Sequence, residues 1–185
     1  FKTLVANSKT IFTRIGINSG EMIAGYFGSE KKKNYTMMGN NVNLASRLEG
    51  VNKQYHTNGI LISQSTKELI GDRFVVRSLD RVRVVNINTP IGLYELIEEK
   101  PLASPELLDY MLNRESAMAE LNNKNYTKAK ELLSSLAKKN SNDNVAKYYI
   151  HLLDDYFLKG TFPKEADGEG VEFNPDDGVF KLLQK

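Results

Sequence analysis

The sequence predicts an α+β fold over residues 1–100, followed by an all-helical segment over 101–185. Three observations predict it. Short apolar runs, bounded by Gly, Asn and Ser, alternate with helical stretches in the first hundred residues. The chain is then punctuated from Pro101 to Pro105, and three helical stretches follow. Charge divides at the same place: residues 1–100 hold 14 basic and 9 acidic residues, and residues 101–185 hold 11 and 14.

Each element has a local cause. Residues 1–10 read as the end of a helix. Thr13 to Asn18 reads as a strand, with Ile15 and Ile17 on one face. Gly20 permits a turn, and Met22 to Gly28 is apolar enough for a sheet. Gly28 to Asn34 is polar and reads as a loop with a solvated Lys31-Lys32-Lys33 tip. Tyr35 to Met38 is a short strand, broken by Gly39-Asn40-Asn41. A helix is expected from Val42 to Gln54, with Asn41 as its N-cap and Val42, Ala45, Leu48 and Val51 as its apolar stripe. His56 falls on the surface after it. Ile60 to Ser63 is a buried strand, and a short helix from Ser65 stops near Gly71. Phe74 to Val76, Val82 to Val85 and Ile91 to Leu96 are the remaining strands.

Ser104-Pro105-Glu106 is a helix start: cap, N1 proline, then an acid at the positive end of the dipole. Helices are expected over 105–122, 126–139 and 143–159. Tyr126, Ala129, Leu133 and Leu136 line one face of the middle one, and the Tyr148-Tyr149 and Tyr156-Phe157 pairs serve helix packing. Residues 163–178 are rich in Gly, Pro, Asp and Glu and read as a loop. Gly178 to Leu183 is a short amphipathic segment able to dock back.

Composition excludes several classes of function. The net charge is only +2, and no basic stripe accompanies the aromatics, so nucleic acid is not expected as a partner. Cys is absent, which removes disulfides and thiolate metal sites. His56 and His151 are the only histidines. No apolar run approaches the ~18 residues of a membrane span, and no signal peptide is seen. No membrane contact by this segment and a cytoplasmic location are therefore expected. The first residue is Phe1, from which a start partway through a longer protein is expected, with any anchor or sensor upstream.

The chemistry concentrates in Tyr35-Thr36-Met37-Met38-Gly39-Asn40-Asn41-Val42-Asn43-Leu44-Ala45-Ser46-Arg47-Leu48-Glu49. Asn43 and Arg47 are four apart on a helix and share a face near its start. An amide and a guanidinium aimed at one point suit a phosphoryl group gaining negative charge. On spacing alone, a solvent-facing polar pair, with Arg47 bridging to an acid, is the favoured reading.

The wider pattern carries a resemblance. Arg14-Ile15-Gly16-Ile17-Asn18-Ser19-Gly20-Glu21, then Gly28-Ser29, then Tyr35 through Arg47, is similar to the second half of a class III adenylate/guanylate cyclase catalytic domain of bacterial type. Leu79-Asp80-Arg81-Val82-Arg83-Val84, Pro90 and Tyr94-Glu95-Leu96 resemble its closing strands. The resemblance covers about residues 1–97. It implies a ferredoxin-like nucleotide cyclase domain, truncated on its N-terminal side and ending near residue 100, then a helical hairpin extension over 101–185. The helical stretches resemble one tetratricopeptide-type hairpin, with Tyr126 and Ala129 in its expected places. Asn174-Pro175-Asp176-Asp177-Gly178-Val179-Phe180 resembles an ending found in some bacterial members.

The resemblance further implies a head-to-tail homodimer with its sites at the interface. One chain provides two aspartates that hold Mg2+ or Mn2+, and Arg14 matches an arginine on that side that contacts phosphates. From the other chain, Asn43 matches the asparagine that orients the ribose, and Arg47 the arginine that steadies charge on the reacting phosphate. Thr36 matches the pocket position that favours ATP over GTP. Glu49 is structural in this pattern or pairs across the dimer. The implied reaction is attack of the ribose 3′-oxygen on the α-phosphate, giving cyclic AMP and pyrophosphate.

Three departures qualify this. No residue matches the metal-binding aspartates or the adenine-reading lysine, so metal ligands among these residues are expected to be none. The chain alone is then expected to be inactive, with a sheet short of strands and prone to self-association. Val85-Asn86-Ile87 stands where the family has Lys-Gly-Lys, and losing such a charge-assisted contact costs about 1.5–3 kcal/mol. Asn40 stands where bacterial members often have Asp. Two other readings stay open: a degenerate cyclase domain that binds nucleotide or a partner without turnover, and a helical hairpin that scaffolds peptides.

Overall fold

A computed structural model describes residues 13–57, 59–84, 90–162, 171–174 and 179–182. The first strand, β1 (Ile15–Ile17), is followed by a hairpin, β2 (Ile23–Ser29) and β3 (Lys32–Met38), and by helix α1 (Asn40–Tyr55). Next come β4 (Ile60–Ser63), α2 (Gln64–Ile70), β5 (Phe74–Val84) and β6 (Ile91–Glu99). A 3₁₀ turn at Lys100–Leu102 leads into α3 (Pro105–Asn122), α4 (Tyr126–Lys139) and α5 (Asn144–Lys159). Two late strands, β7 (Val171–Asn174) and β8 (Val179–Leu182), complete the described elements. The fold is the expected mixture of sheet and helices with a helical extension.

Six strands form one sheet in the order β1-β4-β6-β5-β8-β7, while β2 and β3 form a separate two-stranded ribbon. β1 runs parallel to β4, β6 runs antiparallel to both β4 and β5, and β8 runs parallel to β5. Two ladder interruptions bend the β5–β6 pair. At one of them Ser78 faces Tyr94 and Arg81 faces Gly92, so Leu79 and Asp80 oppose Leu93 alone, a β-bulge.

Several boundaries differ from expectation, each for a physical reason. The segments 74–76 and 82–85 are one strand, because the bulge carries pairing past the polar residues between them. Lys32, Lys33 and Asn34 belong to β3 rather than to a loop, since Gly28 at φ +139° permits a tight turn at Glu30-Lys31. Asn41 is not the N-cap of α1. Gly39 holds that position at φ +141°, a region open to glycine, and Asn41 lies inside the first turn. The short helix starts at Gln64, because the Ser63 hydroxyl accepts from Thr66 N at 3.3 Å. The expected loop over 163–178 contains β7, and the amphipathic end docks back as β8.

One apolar core crosses residue 100 without a break. From α1 it takes Leu44, Leu48, Val51 and Tyr55, a stripe shifted from the expected one by the inclusion of Leu44 and Tyr55. The strands add Leu61, Leu79 and Leu93, and the helices add Met118, Leu133, Leu136, Tyr149 and Leu153. Tyr126, Tyr156 and Phe162 pack ring to ring at the far end of α4 and α5, with centroids 4.6–5.4 Å apart. Tyr55 meets Tyr148 edge to face at 5.3 Å, so the paired tyrosines of α5 serve packing. Among the described residues, no helix is long and apolar enough to cross a membrane.

Candidate active site

The site begins at the entry to α1. Its first helical bond runs from Asn43 N to Gly39 O at 3.1 Å, across the glycine that turns β3 into the helix. At about 100° per residue, Asn43 and Arg47 lie one turn apart on the same face. Asn43 is exposed and Arg47 half-buried. The Nη1 of Arg47 is buried and receives no acceptor among the described residues.

A close contact fixes the helix against β1. A Cβ at Gly16 would stand 2.2 Å from the Ala45 carbonyl oxygen and 2.5 Å from Glu49 N, so only glycine admits α1 this near the strand. Asn52, at the other end of α1, donates to Ile15 O and to Leu48 O, each at 3.2 Å. The middle and the C-terminal part of the helix are thereby tied to the strand beneath it.

The entry turn has its own polar network. Asn18 Nδ2 donates to Asn41 O and Asn41 Oδ1, each at 3.1 Å, and Asn41 Nδ2 donates to Glu21 O at 2.9 Å. Ser65 Oγ donates to Asn18 Oδ1 at 3.1 Å and to Ser19 O at 2.8 Å. Ser19 and Thr66 share a hydroxyl contact at 3.0 Å. This network joins the turn after β1 to the starts of α1 and α2. Sequence reasoning gave Asn18, Asn41, Ser65 and Thr66 no part in it. The signal available was Asn18-Ser19-Gly20 at a strand end, a turn motif whose side chains seek backbone partners.

Arg14 is placed elsewhere. Its Nε donates to Glu49 Oε1 at 3.0 Å, and both side chains remain more than a third exposed. Glu49 is two residues beyond Arg47, about 200° around the helix. The structure therefore brings Asn43 and Arg47 together on one side of α1 and puts Arg14 toward the other. Glu49 pairs with Arg14 within the same chain.

Thr36 is exposed on β3, opposite Gly25, shortly before the strand passes through Gly39 into α1. The ribbon that carries it is largely uncovered. Ile23 is 69% exposed, Tyr26 74% and Tyr35 66%, and the two tyrosine rings meet edge to face at 5.2 Å.

Among the described residues, no three His, Cys, Asp or Glu side chains converge to hold a metal ion. These residues do not form the Mg2+ or Mn2+ site that the resemblance implies. Val85-Asn86-Ile87 and residues 1–10 lie outside the described residues.

The family profile described as the adenylate and guanylate cyclase catalytic domain matches residues 2–97, more than half of the chain. The terminal-differentiation-specific adenylate cyclase of Dictyostelium discoideum is 38% identical over 111 residues, which are 56% of this chain and 5% of that protein. Adenylate cyclase 1 of Rhizobium meliloti (strain 1021) is 36% identical over 85 residues, 46% of this chain and 13% of that protein. The chain thus spans a small part of these relatives' length. Among solved structures, the adenylyl cyclase CyaB from P. aeruginosa aligns at 29% identity with a TM-score of 0.46, covering 56% of this chain and 52% of that one. With a family match over residues 2–97, the chain belongs to the adenylate and guanylate cyclase catalytic domain family.

Proposed function

We propose that this chain supplies the ribose- and phosphate-facing half of an adenylate cyclase site, in a protein that converts ATP to cyclic AMP and pyrophosphate as a homodimer. The observation that carries this reading is Arg47. Its Nη1 is buried without an acceptor among the described residues, one turn from Asn43 at the entry of α1. Leaving such a donor unmade costs about 1–3 kcal/mol, which a phosphate oxygen gaining charge in the transition state would recover. Arg47 then steadies charge developing on the α-phosphate, Asn43 orients the ribose, and Thr36 selects adenine.

Arg14, on the other side of α1, serves the second site of the dimer, the one completed by the partner's α1. The uncovered apolar ribbon of β2 and β3 supports a covering copy. The divalent metal belongs to the reading through the family, with its ligands outside the described residues. Residues 1–100 act as the cyclase segment and residues 101–185 as a tetratricopeptide-like extension of it, in a cytoplasmic part of the protein.

The test is cyclic AMP formation from ATP with Mn2+, using the full-length protein that carries this chain. Arg47→Ala is expected to lower kcat by about 10²–10³, as for loss of one transition-state donor, with ATP affinity nearly intact. A large loss of affinity at unchanged turnover would contradict the assignment. ATP binding with no cyclic AMP would favour the second reading, a degenerate regulatory domain, which Val85 and Ile87 in place of lysines support.

A further inference from the structure

The entry of α1 is braced from outside the helix. Gly39 has no side chain with which to cap the first turn, and no side-chain cap bond is made there among the described residues. The leading N–H groups of a helix have no partner within it, so an uncapped first turn frays easily. The turn after β1 holds it instead. Asn18 Nδ2 donates to Asn41 O and to Asn41 Oδ1, each at 3.1 Å, and Asn41 Nδ2 donates to Glu21 O at 2.9 Å. Gly20 makes room for that amide, since a Cβ there would stand 2.4 Å from Asn41 Nδ2.

A side-chain amide can point either way, and here Ser65 sets the direction. Its Oγ, in the first turn of α2, donates to Asn18 Oδ1 at 3.1 Å and to Ser19 O at 2.8 Å. With its oxygen turned to that hydroxyl, Asn18 presents its NH2 group to Asn41. Ser65 is held in turn by Ser63 Oγ at 2.9 Å, and Thr66 Oγ1 lies 3.2 Å from Ser63 Oγ and 3.0 Å from Ser19 Oγ. A line of hydrogen bonds thus runs from α2 through the turn after β1 to residue 41, two positions before Asn43.

Arg47 is held differently. The backbone of Gly16 lies against Ala45 and Glu49, so backbone contact with β1 fixes the middle of α1. Asn43, whose N–H makes the first helical bond, belongs to the first turn, which side-chain bonds fix. We infer that Asn18 and Ser65 are positioning residues: acting through Asn41, they set where the first turn of α1 holds Asn43, independently of Arg47. The consequence for ribose orientation rests on the proposed cyclase reading, and the brace rests on the hydrogen bonds alone.

Two variants of the full-length protein test this. Asn18→Asp keeps size and the acceptor for Ser65, but it turns an oxygen instead of an NH2 group toward two oxygens of Asn41. Ser65→Ala is the milder change, and it decides the matter alone if Asn18→Asp does not fold. Amide hydrogen exchange reports the brace: residues 42–44 should exchange faster while 48–52 stay protected. Steady-state kinetics with ATP and Mn2+ report the consequence: kcat should fall about three- to tenfold, as for a slightly misplaced positioning group, with KM within about twofold. Each variant is then combined with Asn43→Ala. Because the brace acts through Asn43, the further loss of kcat in that background should shrink to less than about twofold. Unchanged exchange at 42–44 in the folded variants would overturn the brace. Faster exchange with unchanged kcat, or the same loss of kcat with and without Asn43, would overturn the positioning role and leave the network structural. A wild-type protein with no cyclase activity would defeat the positioning role together with the cyclase reading, and exchange would still decide the brace.

Discussion

Gly16 and Ala45 are in backbone contact: a Cβ on Gly16 would stand 2.2 Å from the Ala45 carbonyl oxygen. The contact joins β1 to the middle of the helix that presents Asn43 and Arg47. Gly16→Ala must therefore push α1 off the strand. We expect a loss of about 1–3 kcal/mol in urea denaturation, the usual cost of overpacking. Cyclic nucleotide formation should fall with it, because the helix carries the candidate residues.

Arg77 carries a different risk. It pairs with Glu95 and Asp143, all three nearly sealed from water. Arg77→Met removes the cation hydrogen-bonded to both buried carboxylates, and about 3–5 kcal/mol should be lost in thermal or chemical unfolding. Removing Arg77 and Glu95 together should cost less than removing Arg77 alone.

The same cluster gives an acid sensitivity. Burial pushes the Asp143 carboxyl up, but Arg77 beside it, with the Tyr110 hydroxyl and the Ala146 amide, outweighs burial and holds it below the ordinary carboxylate value. A carboxyl depressed in the folded state contributes stability above its unfolded pKa, and that contribution is lost as pH falls through the folded one. Unfolding free energy measured from pH 6 downward should fall below about pH 4. Asp143→Asn should start from lower stability and show a shallower acid slope. An identical slope would remove Asp143 from the cause.

Asn41 should behave as a linchpin of the turn after β1. It accepts from Asn18 and donates to Glu21 O. Asn41→Ala strips both contacts, and an equilibrium unfolding loss of about 1–3 kcal/mol is expected.

Arg14 should behave in the opposite way. Its pair with Glu49 is exposed, and such pairs are worth about 0–1 kcal/mol. Arg14→Ala should leave the melting temperature nearly unchanged while cutting cyclic AMP production by the full-length protein. Equal losses of stability and activity would make Arg14 structural.

Much of this was legible in the sequence. Ser104-Pro105-Glu106 marked the start of α3, and Asn123-Lys124-Asn125 and Asn140-Ser141-Asn142 separated the helices, because capping and turn chemistry are local. That Asn43 and Arg47 share one face of a helix follows from their spacing, and α1 spans both. What escaped depends on distant partners. Asn41 looks like a cap, yet Gly39 takes that place and frees Asn41 to meet Asn18. Arg77 and Arg114 look like surface charges until Asp143, 66 positions after Arg77, and the Ser78 carbonyl meet them. β7 and β8 hid in a stretch rich in turn formers, since strand pairing is decided by the edge that receives it.

That last pairing has a consequence for how the protein is made. The free edge of β5 is closed by residues 179–182, about a hundred positions downstream. During synthesis from the N-terminus, the sheet stays open at that edge while α3, α4 and α5 are still being translated. A nascent chain interrupted before Val179 therefore displays a bare strand, the kind of surface that aggregates or attracts quality control. Pairing of β8 closes that edge once residues 179–182 have been made, so the last-translated strand of the described sheet is the one that shields β5.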